Sequence, residues 1–160
     1  MRIGHGYDVH RLQEGLPLLI GGEHIPHGKG CVAHSDGDVL VHAIIDALFG
    51  AASLPDIGSH YPDSDPQYRG ICSMQLLSEC VCEIRGKLFE IEYVDATILA
   101  QTPKMAPYIQ NMRKNLADTM RIPLTLINIK ATTEEYLGFT GREEGIAAHA
   151  VCLLKKTNGL

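Results

Sequence analysis

The sequence lacks long apolar runs and basic clusters. No segment reaches the roughly 18 consecutive apolar residues that a membrane-spanning helix needs, and the first residues carry no apolar stretch typical of a secretory signal. Lys and Arg number 14 against 19 Asp and Glu, for a net charge of −5. These features predict a cytoplasmic protein that binds neither a membrane nor nucleic acid. Any phosphate group must therefore be bound locally, by amides, metals or a few cations.

Cysteine pairs with metal-binding or redox spacing are also missing. The five cysteines are odd in number and show no C-x-x-C spacing, which predicts free thiols in a reducing compartment. Cys80 and Cys82 fall on a predicted helix, where residues two apart do not share a face. We therefore expect both to be buried as small hydrophobic residues rather than to bind a metal jointly.

Internal repeats and Ser/Gly-rich linkers are absent too, so we expect a single domain over residues 1–160. Hydrophobic residues make up 45% of the chain and charged residues 21%, as in soluble globular proteins. Strand-like and helix-like patterns alternate along the chain, and Gly21-Gly22 predicts a hairpin turn. This order predicts an α+β fold, a two-layer domain with a mixed β-sheet and helices on one face.

The elements are predicted from hydrophobic periodicity. A strand is expected from the start to about Val9, and a helix from a Ser35 cap, with Asp38 three residues on, to Gly50. The long segment 54–70 is predicted to be a functional loop. The remaining predictions are two short strands around Gly21-Gly22, helices over 73–86 and 107–121, and strands in FEIEYVDATILA, LTLINIKA and GIAAHAVCLL.

The segment YDVH contains the first candidate metal ligands. In a strand, Asp8 and His10 project from the same face, and a carboxylate and an imidazole are ligands that Zn²⁺ accepts. Two ligands make only a weak site, so a surface Asp beside a packed His remains an alternative.

His42 strengthens the metal hypothesis. On the predicted helix, Asp38, His42 and Asp46 are spaced four apart and form a polar stripe among apolar residues. That stripe either faces water or turns toward a site, where a flanking carboxylate would hold the imidazole N–H. Asp8, His10 and His42 would then be three protein ligands that leave a fourth position open, as in catalytic zinc sites.

Three further segments carry groups suited to a phosphorylated ligand. His34 and Ser35 precede a helix, where free amides favour an anion. Thr132 to Glu135 follow a strand and offer hydroxyls for phosphate and carboxylates for Mg²⁺. Ala100 to Ala106 form a strand end whose exposed backbone can contact a base edge. Taken singly, a plain helix cap explains Ser35 better than an anion site does. A solvated turn explains Thr132 to Glu135 equally well, and the strand end is a weak signal in isolation.

Together these segments resemble the 2-C-methyl-D-erythritol 2,4-cyclodiphosphate synthases. The similarity runs nearly end to end, through HGYDVH, AHSDGDVLVHAIIDALFGAA, DIGSHYPDSDP, AQTPKM and KATTEEYLGFTGREEGIA. It implies conversion of 4-diphosphocytidyl-2-C-methyl-D-erythritol 2-phosphate to the 2,4-cyclodiphosphate with release of CMP, in non-mevalonate isoprenoid biosynthesis. It also implies a homotrimer whose active sites are shared between subunits.

The resemblance assigns roles to individual residues. It implies Zn²⁺, or another divalent transition metal, at Asp8, His10 and His42, and Mg²⁺ or Mn²⁺ at Glu135 together with the substrate diphosphate. His34 and Thr133 correspond to residues that steady the transition state. The implied substrate contacts are Asp8, Val9, His10, His34, Ser35, Asp56, Ile57, Gly58, Tyr61, Pro62, Asp63, Ser64, Asp65, Ala100, Gln101, Thr102, Pro103, Lys104, Met105, Ala106, Thr132, Thr133, Glu134, Glu135, Phe139 and Arg142.

The chain departs from the family pattern at three positions. Glu134 stands where Thr or Asn is common and competes with Glu135 as a ligand, Tyr136 stands where a basic or small residue is common, and His149 replaces an acidic residue near the trimer axis. Two other functions stay open on sequence alone. One is a zinc-dependent phosphohydrolase, and the other is a non-catalytic trimer that binds metal or nucleotide.

Overall fold

The computed structural model describes residues 1–157 and follows the alternation of strand and helix patterns in the sequence. The strands are β1 (Arg2–Glu14), β2 (Leu18–Ile20), β3 (Glu23–Ile25), β4 (Lys29–Cys31), β5 (Phe89–Leu99), β6 (Ile127–Thr132) and β7 (Gly145–Lys156). The helices are α1 (Val39–Ala52), α2 (Ile57–His60), α3 (Ser73–Gly86), α4 (Ile109–Met120) and α5 (Gly138–Gly141). Single 3₁₀ turns lie at Pro66–Tyr68 and Leu124–Leu126.

The main sheet is mixed, in the order β4-β1-β7-β5-β6. β5 and β6 run parallel and are connected through α4, while the other neighbouring strands are antiparallel. β2 and β3 form a separate hairpin whose turn residues, Gly21 and Gly22, both have positive φ, as the predicted glycine turn requires. The prediction of a single α+β domain with a mixed sheet is confirmed.

Helix α1 packs unusually close to β1, because two glycines face it. A Cβ on Gly4 would lie 1.9 Å from the Ala47 carbonyl oxygen, and one on Gly6 would lie 1.9 Å from that of Ala43. Real side chains do not tolerate such distances, so only glycine permits this contact. The close approach brings the side chains of α1 directly over the inward face of β1.

The helices cover one face of the sheet and leave the other open. Residues of β1, β5 and β7 alternate between the buried core and this open face. Large apolar side chains on it are between 40% and 72% exposed: Ile3, Tyr7, Val9, Tyr93 and Val151. Large apolar side chains exposed on one face of a sheet are typical of a contact with another chain.

Several predicted boundaries differ from the structure. β1 continues past Val9 to Glu14, because His10 and Arg11 still pair with β7 and residues 12–14 pair with β4. Helix α1 begins at Val39 with Asp38 as its N-cap, so the predicted Ser35 cap is wrong. Asp38 is the cap because its carboxylate accepts hydrogen bonds from the Val41 N–H and also from the N–H groups of Gly21 and Gly22. Helix α4 begins at Ile109 rather than at residue 107.

The cysteine prediction is half right. All five thiols are free, and Cys80 is buried as expected, but Cys82 is exposed. Residues two apart on one helix point in different directions, so only one of them can face the core. Within residues 1–157, no helix is long and apolar enough to cross a membrane.

Candidate metal centre and active site

Three side chains from two elements converge on one point. Asp8 and His10 project from the inward face of β1, and His42 projects from α1 above them. Asp8 Oδ2 lies 3.0 Å from both His10 Nε2 and His42 Nδ1, and these two nitrogens are 3.1 Å apart. The glycines that bring α1 against β1 make this convergence possible.

The triangle fits a divalent metal. Ligand atoms that share a tetrahedral zinc ion at about 2.0–2.2 Å lie roughly 3.3–3.5 Å apart, close to the observed separations. Two imidazoles and one carboxylate form the donor set of a catalytic zinc site with an open position. Among the residues that the structure describes, this is the only such cluster of three or more ligand atoms.

A hydrogen-bond chain fixes the orientation of the His42 ring. Its Nε2 lies 2.8 Å from Ser73 Oγ and 3.2 Å from Ser35 Oγ. The Ser73 hydroxyl donates to the Asp36 carboxylate, so its oxygen accepts the Nε2–H of His42. The Ser73 backbone N–H donates to the same carboxylate. This arrangement directs Nδ1 of His42 at Asp8 and His10, so that loss of the Nδ1 proton leaves a lone pair there for a metal.

The predicted carboxylate partner of His42 is therefore wrong. The Asp38 carboxylate caps α1 and accepts the N–H groups of the two glycines in the hairpin turn. Asp46 accepts the N–H of Ile57 at 2.8 Å and so holds the start of α2. Ser73 and Asp36 instead form the hydrogen-bond chain that holds the His42 imidazole. Sequence reasoning missed them because they lie 37 residues apart and nothing local pairs them.

The opposite charges of Asp8 and His42 shift the pKa of both groups. Burial raises the pKa of Asp8, but hydrogen bonds from His10 and His42 outweigh it and lower the value to about 2. Burial works against a charged His42, yet the hydrogen bond to Asp8 and its negative charge raise the pKa of this imidazole above its ordinary 6.5. The contact with Asp8 therefore favours the protonated imidazole, and a metal ion bound at Nδ1 would displace that proton.

The centre opens into a cavity of about 300 Å³. The predicted residues that line it are Asp8, His10, His34, Ser35, His42, Ile57, Gly58, Tyr61 and Asp63, and the walls also include Val32, Ala33, Tyr68, Ile71 and Leu76. His34 Nε2 is buried and has no hydrogen-bond partner within residues 1–157. Asp56 accepts the Ser59 N–H and caps α2, which presents Ile57 and Gly58 to the cavity.

A second, separate cavity of about 230 Å³ lies where β5 and β6 end. Its predicted lining residues are Ala100, Gln101, Pro103, Lys104, Met105, Ala106, Thr132 and Thr133, joined by Ile109 and Ala131. Thr102 belongs to the same segment. The parallel pairing of β5 with β6 brings the two predicted segments together. Within one chain, these residues therefore lie in a different cavity from the metal centre.

The loop that carries Glu134 and Glu135 follows β6. Glu135 and Tyr136 have positive φ, and the Tyr136 N–H donates to Gln101 Oε1, which ties the loop to the second cavity. Glu135 is exposed and does not join Asp8, His10 and His42 within one chain. Glu134 accepts a hydrogen bond from the Thr140 hydroxyl, and this contact occupies the carboxylate that was expected to compete with Glu135.

The remaining predicted contacts lie outside both cavities. Val9 faces the open side of the sheet, opposite to Asp8 and His10. Asp65 accepts the Gln67 N–H at the Pro66–Tyr68 turn, beside Pro62 and Ser64. Arg142 forms a bidentate pair with Glu144. Phe139 lies on α5, where its ring packs near Gly145.

The chain is similar to known proteins along almost its whole length. Residues 1–155 match the YgbB family. A 2-C-methyl-D-erythritol 2,4-cyclodiphosphate synthase of Ectopseudomonas mendocina is 59% identical over 98% of this chain and 99% of its own. The synthase of Agathobacter rectalis is 58% identical over 96% and 87%. A solved synthase in a form bound to CDP superposes with a TM-score of 0.89 at 37% identity, over 96% of this chain and all of the other.

Proposed function

The chain belongs to the YgbB family, and we propose on that premise that it acts as a 2-C-methyl-D-erythritol 2,4-cyclodiphosphate synthase. It converts 4-diphosphocytidyl-2-C-methyl-D-erythritol 2-phosphate to the cyclodiphosphate and releases CMP, a step of non-mevalonate isoprenoid synthesis. The observation that carries this function is the Asp8, His10 and His42 triangle, open to a cavity in a chain so similar to the named synthases.

The reaction needs positioning and charge neutralisation rather than a strong base. An oxygen of the 2-phosphate, already ionised at pH 7, attacks the β phosphorus. The bond from that phosphorus to the oxygen bridging to the α phosphate breaks, and CMP leaves with the electron pair. The obstacles are repulsion between anions and the entropy of ring closure. Holding the folded substrate in line can supply about 7 kcal/mol or more of the barrier.

We assign Asp8, His10 and His42 to Zn²⁺ or another divalent transition metal. Such an ion supplies positive charge that polarises a phosphate oxygen. His34 reaches the same cavity with an unpartnered buried Nε2, and we assign it to a phosphate oxygen whose charge grows during the reaction. The Ser35 hydroxyl lies 3.2 Å from His42 Nε2 and orients that ring.

We assign Mg²⁺ or Mn²⁺ to Glu135, which is exposed beside the second cavity. A hard cation prefers carboxylate and phosphate oxygens, so it suits this position next to the substrate diphosphate. Glu134 is already held by Thr140, which supports Glu135 as the ligand. Thr133 lines the second cavity and offers a hydroxyl to the diphosphate, while residues 100–106 offer backbone groups to cytosine.

We further propose a homotrimer in which neighbouring chains share each active site. Two features support this assembly. The metal centre and the Thr133 cavity are separate in one chain, although both are needed around a single substrate. The open sheet face also exposes apolar side chains that a second copy would bury.

The function is tested by ³¹P NMR of the purified protein with the cytidine diphosphate substrate, Zn²⁺ and Mg²⁺. The synthase produces CMP and two coupled cyclic-diphosphate resonances, and His42→Ala abolishes both through loss of the metal centre. Inorganic phosphate as the product would identify a phosphohydrolase instead. Tight binding of zinc and CDP without turnover would identify a non-catalytic binding protein.

A further inference from the structure

Two histidines meet on the open face of the sheet, away from the active site. His5 lies on β1 and His149 on β7, in diagonal register, because His5 pairs with Val151 and Tyr7 pairs with His149. Diagonal neighbours of an antiparallel pair are within reach of ring side chains. His5 Nε2 and His149 Nδ1 face each other at 3.0 Å, with the ring planes inclined by 34°.

The 3.0 Å separation is that of a hydrogen bond between the rings, and it is also compatible with two ligands on one ion. Nitrogens bound at about 2.0–2.1 Å lie roughly 2.9 Å apart at a right angle and about 3.3 Å apart in a tetrahedron. The same chain provides an internal comparison, because His10 Nε2 and His42 Nδ1 are 3.1 Å apart in the metal centre. Both pairs also use one Nε2 and one Nδ1.

We propose that His5 and His149 form a second transition-metal site, separate from the first, on the open face of the sheet. β1 separates the two sites, since Asp8 and His10 point to its other side. The proposal does not depend on the cyclisation reaction.

The surroundings define which ions it binds. The nearest carboxylate on the adjacent strand, Asp95, is already bound to Lys130 and Asn128. The Tyr7 ring packs against His149, with centroids 4.8 Å apart, and limits its movement. Two neutral imidazoles without a carboxylate suit Cu²⁺, Ni²⁺ and Zn²⁺ and do not suit Mg²⁺ or Ca²⁺. With water in the remaining positions, this site binds more weakly than the three-ligand centre.

The test counts bound metal in the full-length protein. Wild-type protein is dialysed to equilibrium against a series of Ni²⁺ concentrations, and bound nickel per chain is measured by plasma mass spectrometry. We expect two classes of site, and expect His5→Gln and His149→Gln each to remove the weaker class. The exposed His24→Gln change is the matched control and keeps both classes.

A second variant separates this inference from the active site. In His42→Ala the stronger class disappears and the weaker class remains, and Cu²⁺ bound to this variant gives an electron paramagnetic resonance spectrum with coupling to two nitrogens. The weaker class of site accounts for one bound ion per chain, or for one ion per three chains if copies share it. Equal nickel binding by wild type and His149→Gln would overturn the site, whether or not the protein is a synthase.

Discussion

Ser73 contacts the candidate ligand His42 and is not itself among the candidate ligands. Its hydroxyl passes the hydrogen bond of His42 on to Asp36 and is fully buried. We expect Ser73→Ala to lower zinc affinity by roughly 10- to 100-fold, because partners that orient ligands have effects of this size. Competition with a chromophoric chelator measures the affinity directly.

The control for that substitution lies on the same helix. Ser78→Ala changes the same residue type on α3, outside the contact with His42, and should leave zinc affinity unchanged. A Ser73→Ala protein that binds zinc as tightly as wild type would remove Ser73 and Asp36 from the site.

The raised pKa of His42 predicts opposite pH trends for stability and for metal binding. Below pH 6.5 the imidazole is protonated in both folded and unfolded chains, so its contact with Asp8 stabilises the metal-free fold in full. That stabilisation is lost as pH rises through the raised folded-state value. Zinc affinity increases over the same interval, because the competing proton leaves.

Urea unfolding of chelator-treated protein between pH 6 and 9 measures the first trend, and zinc titration measures the second. His42→Gln lacks the titrating imidazole, so its free energy of unfolding should lose the part of the pH dependence that this group causes. A wild-type stability that rises with pH relative to His42→Gln would contradict the assignment.

At the residue scale, local rules predicted the three side chains that converge, Asp8, His10 and His42, but did not predict the residues that support them. The spacing of Asp8 and His10 on a strand is a short-range property, so it could be read from four residues. The contact of His42 with Ser73 depends on how α3 packs on α1, which no local pattern encodes. The same limit explains why Asp38 and Asp46 were expected beside His42 and instead bind backbone amides.

Among the elements, the junction of α1 with the β2–β3 hairpin depends on Asp38. Its buried carboxylate accepts three backbone N–H groups, from Gly21, Gly22 and Val41. Asp38→Ala removes a helix cap and leaves two turn amides without their acceptor. We expect a loss of about 3 kcal/mol or more in the free energy of unfolding, measured by urea denaturation.

Asp38→Asn is the informative companion, since it keeps the shape and one acceptor oxygen but loses the second. It should fall between wild type and Asp38→Ala. Equal stability of all three proteins would show that the hairpin turn does not depend on this carboxylate.

The contact of α1 with β1 is the other critical junction. A methyl group on Gly6 would overlap the Ala43 carbonyl, so Gly6→Ala must push the helix away from the strand. We expect a cost of about 3 kcal/mol and weaker zinc binding, because His42 moves away from Asp8 and His10. Gly86→Ala, in open space at the end of α3, is the control and should be neutral or slightly stabilising.

The types of the longer elements followed from periodicity, whereas their ends required tertiary information. The short helix α2 lies inside segment 54–70, which was predicted to be a loop. Helix α3 was predicted with the correct bounds because its apolar residues repeat regularly up to Gly86. The start of α1 was misplaced because Ser35 and Asp38 both have capping side chains, and only the distant hairpin decides between them. The close approach of α1 at Gly4 and Gly6 likewise has no signal in the sequence beyond the glycines themselves.

At the scale of the whole molecule, a shared site predicts complementation. In the proposed homotrimer, His42→Ala would remove the metal centre and Glu135→Gln would remove the proposed second ion, so each variant alone should be inactive. If one site takes His42 from one chain and Glu135 from its neighbour, mixed trimers contain some intact sites. Co-expressed variants should therefore regain a substantial fraction of wild-type turnover, measured by release of CMP.

The control is a mixture of two separately purified variants that cannot exchange subunits, which should stay inactive. Absence of recovery in mixed trimers, with assembly confirmed by light scattering, would place the whole site within one chain.

Strand β1 carries candidate ligand side chains on both of its faces. Asp8 and His10 face the cavity, while His5, Tyr7 and Val9 face outward. Because the side-chain period of a strand is two, inserting or deleting one residue before Asp8 would exchange the two sets of side chains. Evolution can therefore revise this segment by substitution, but a change in its length would destroy both surfaces at once.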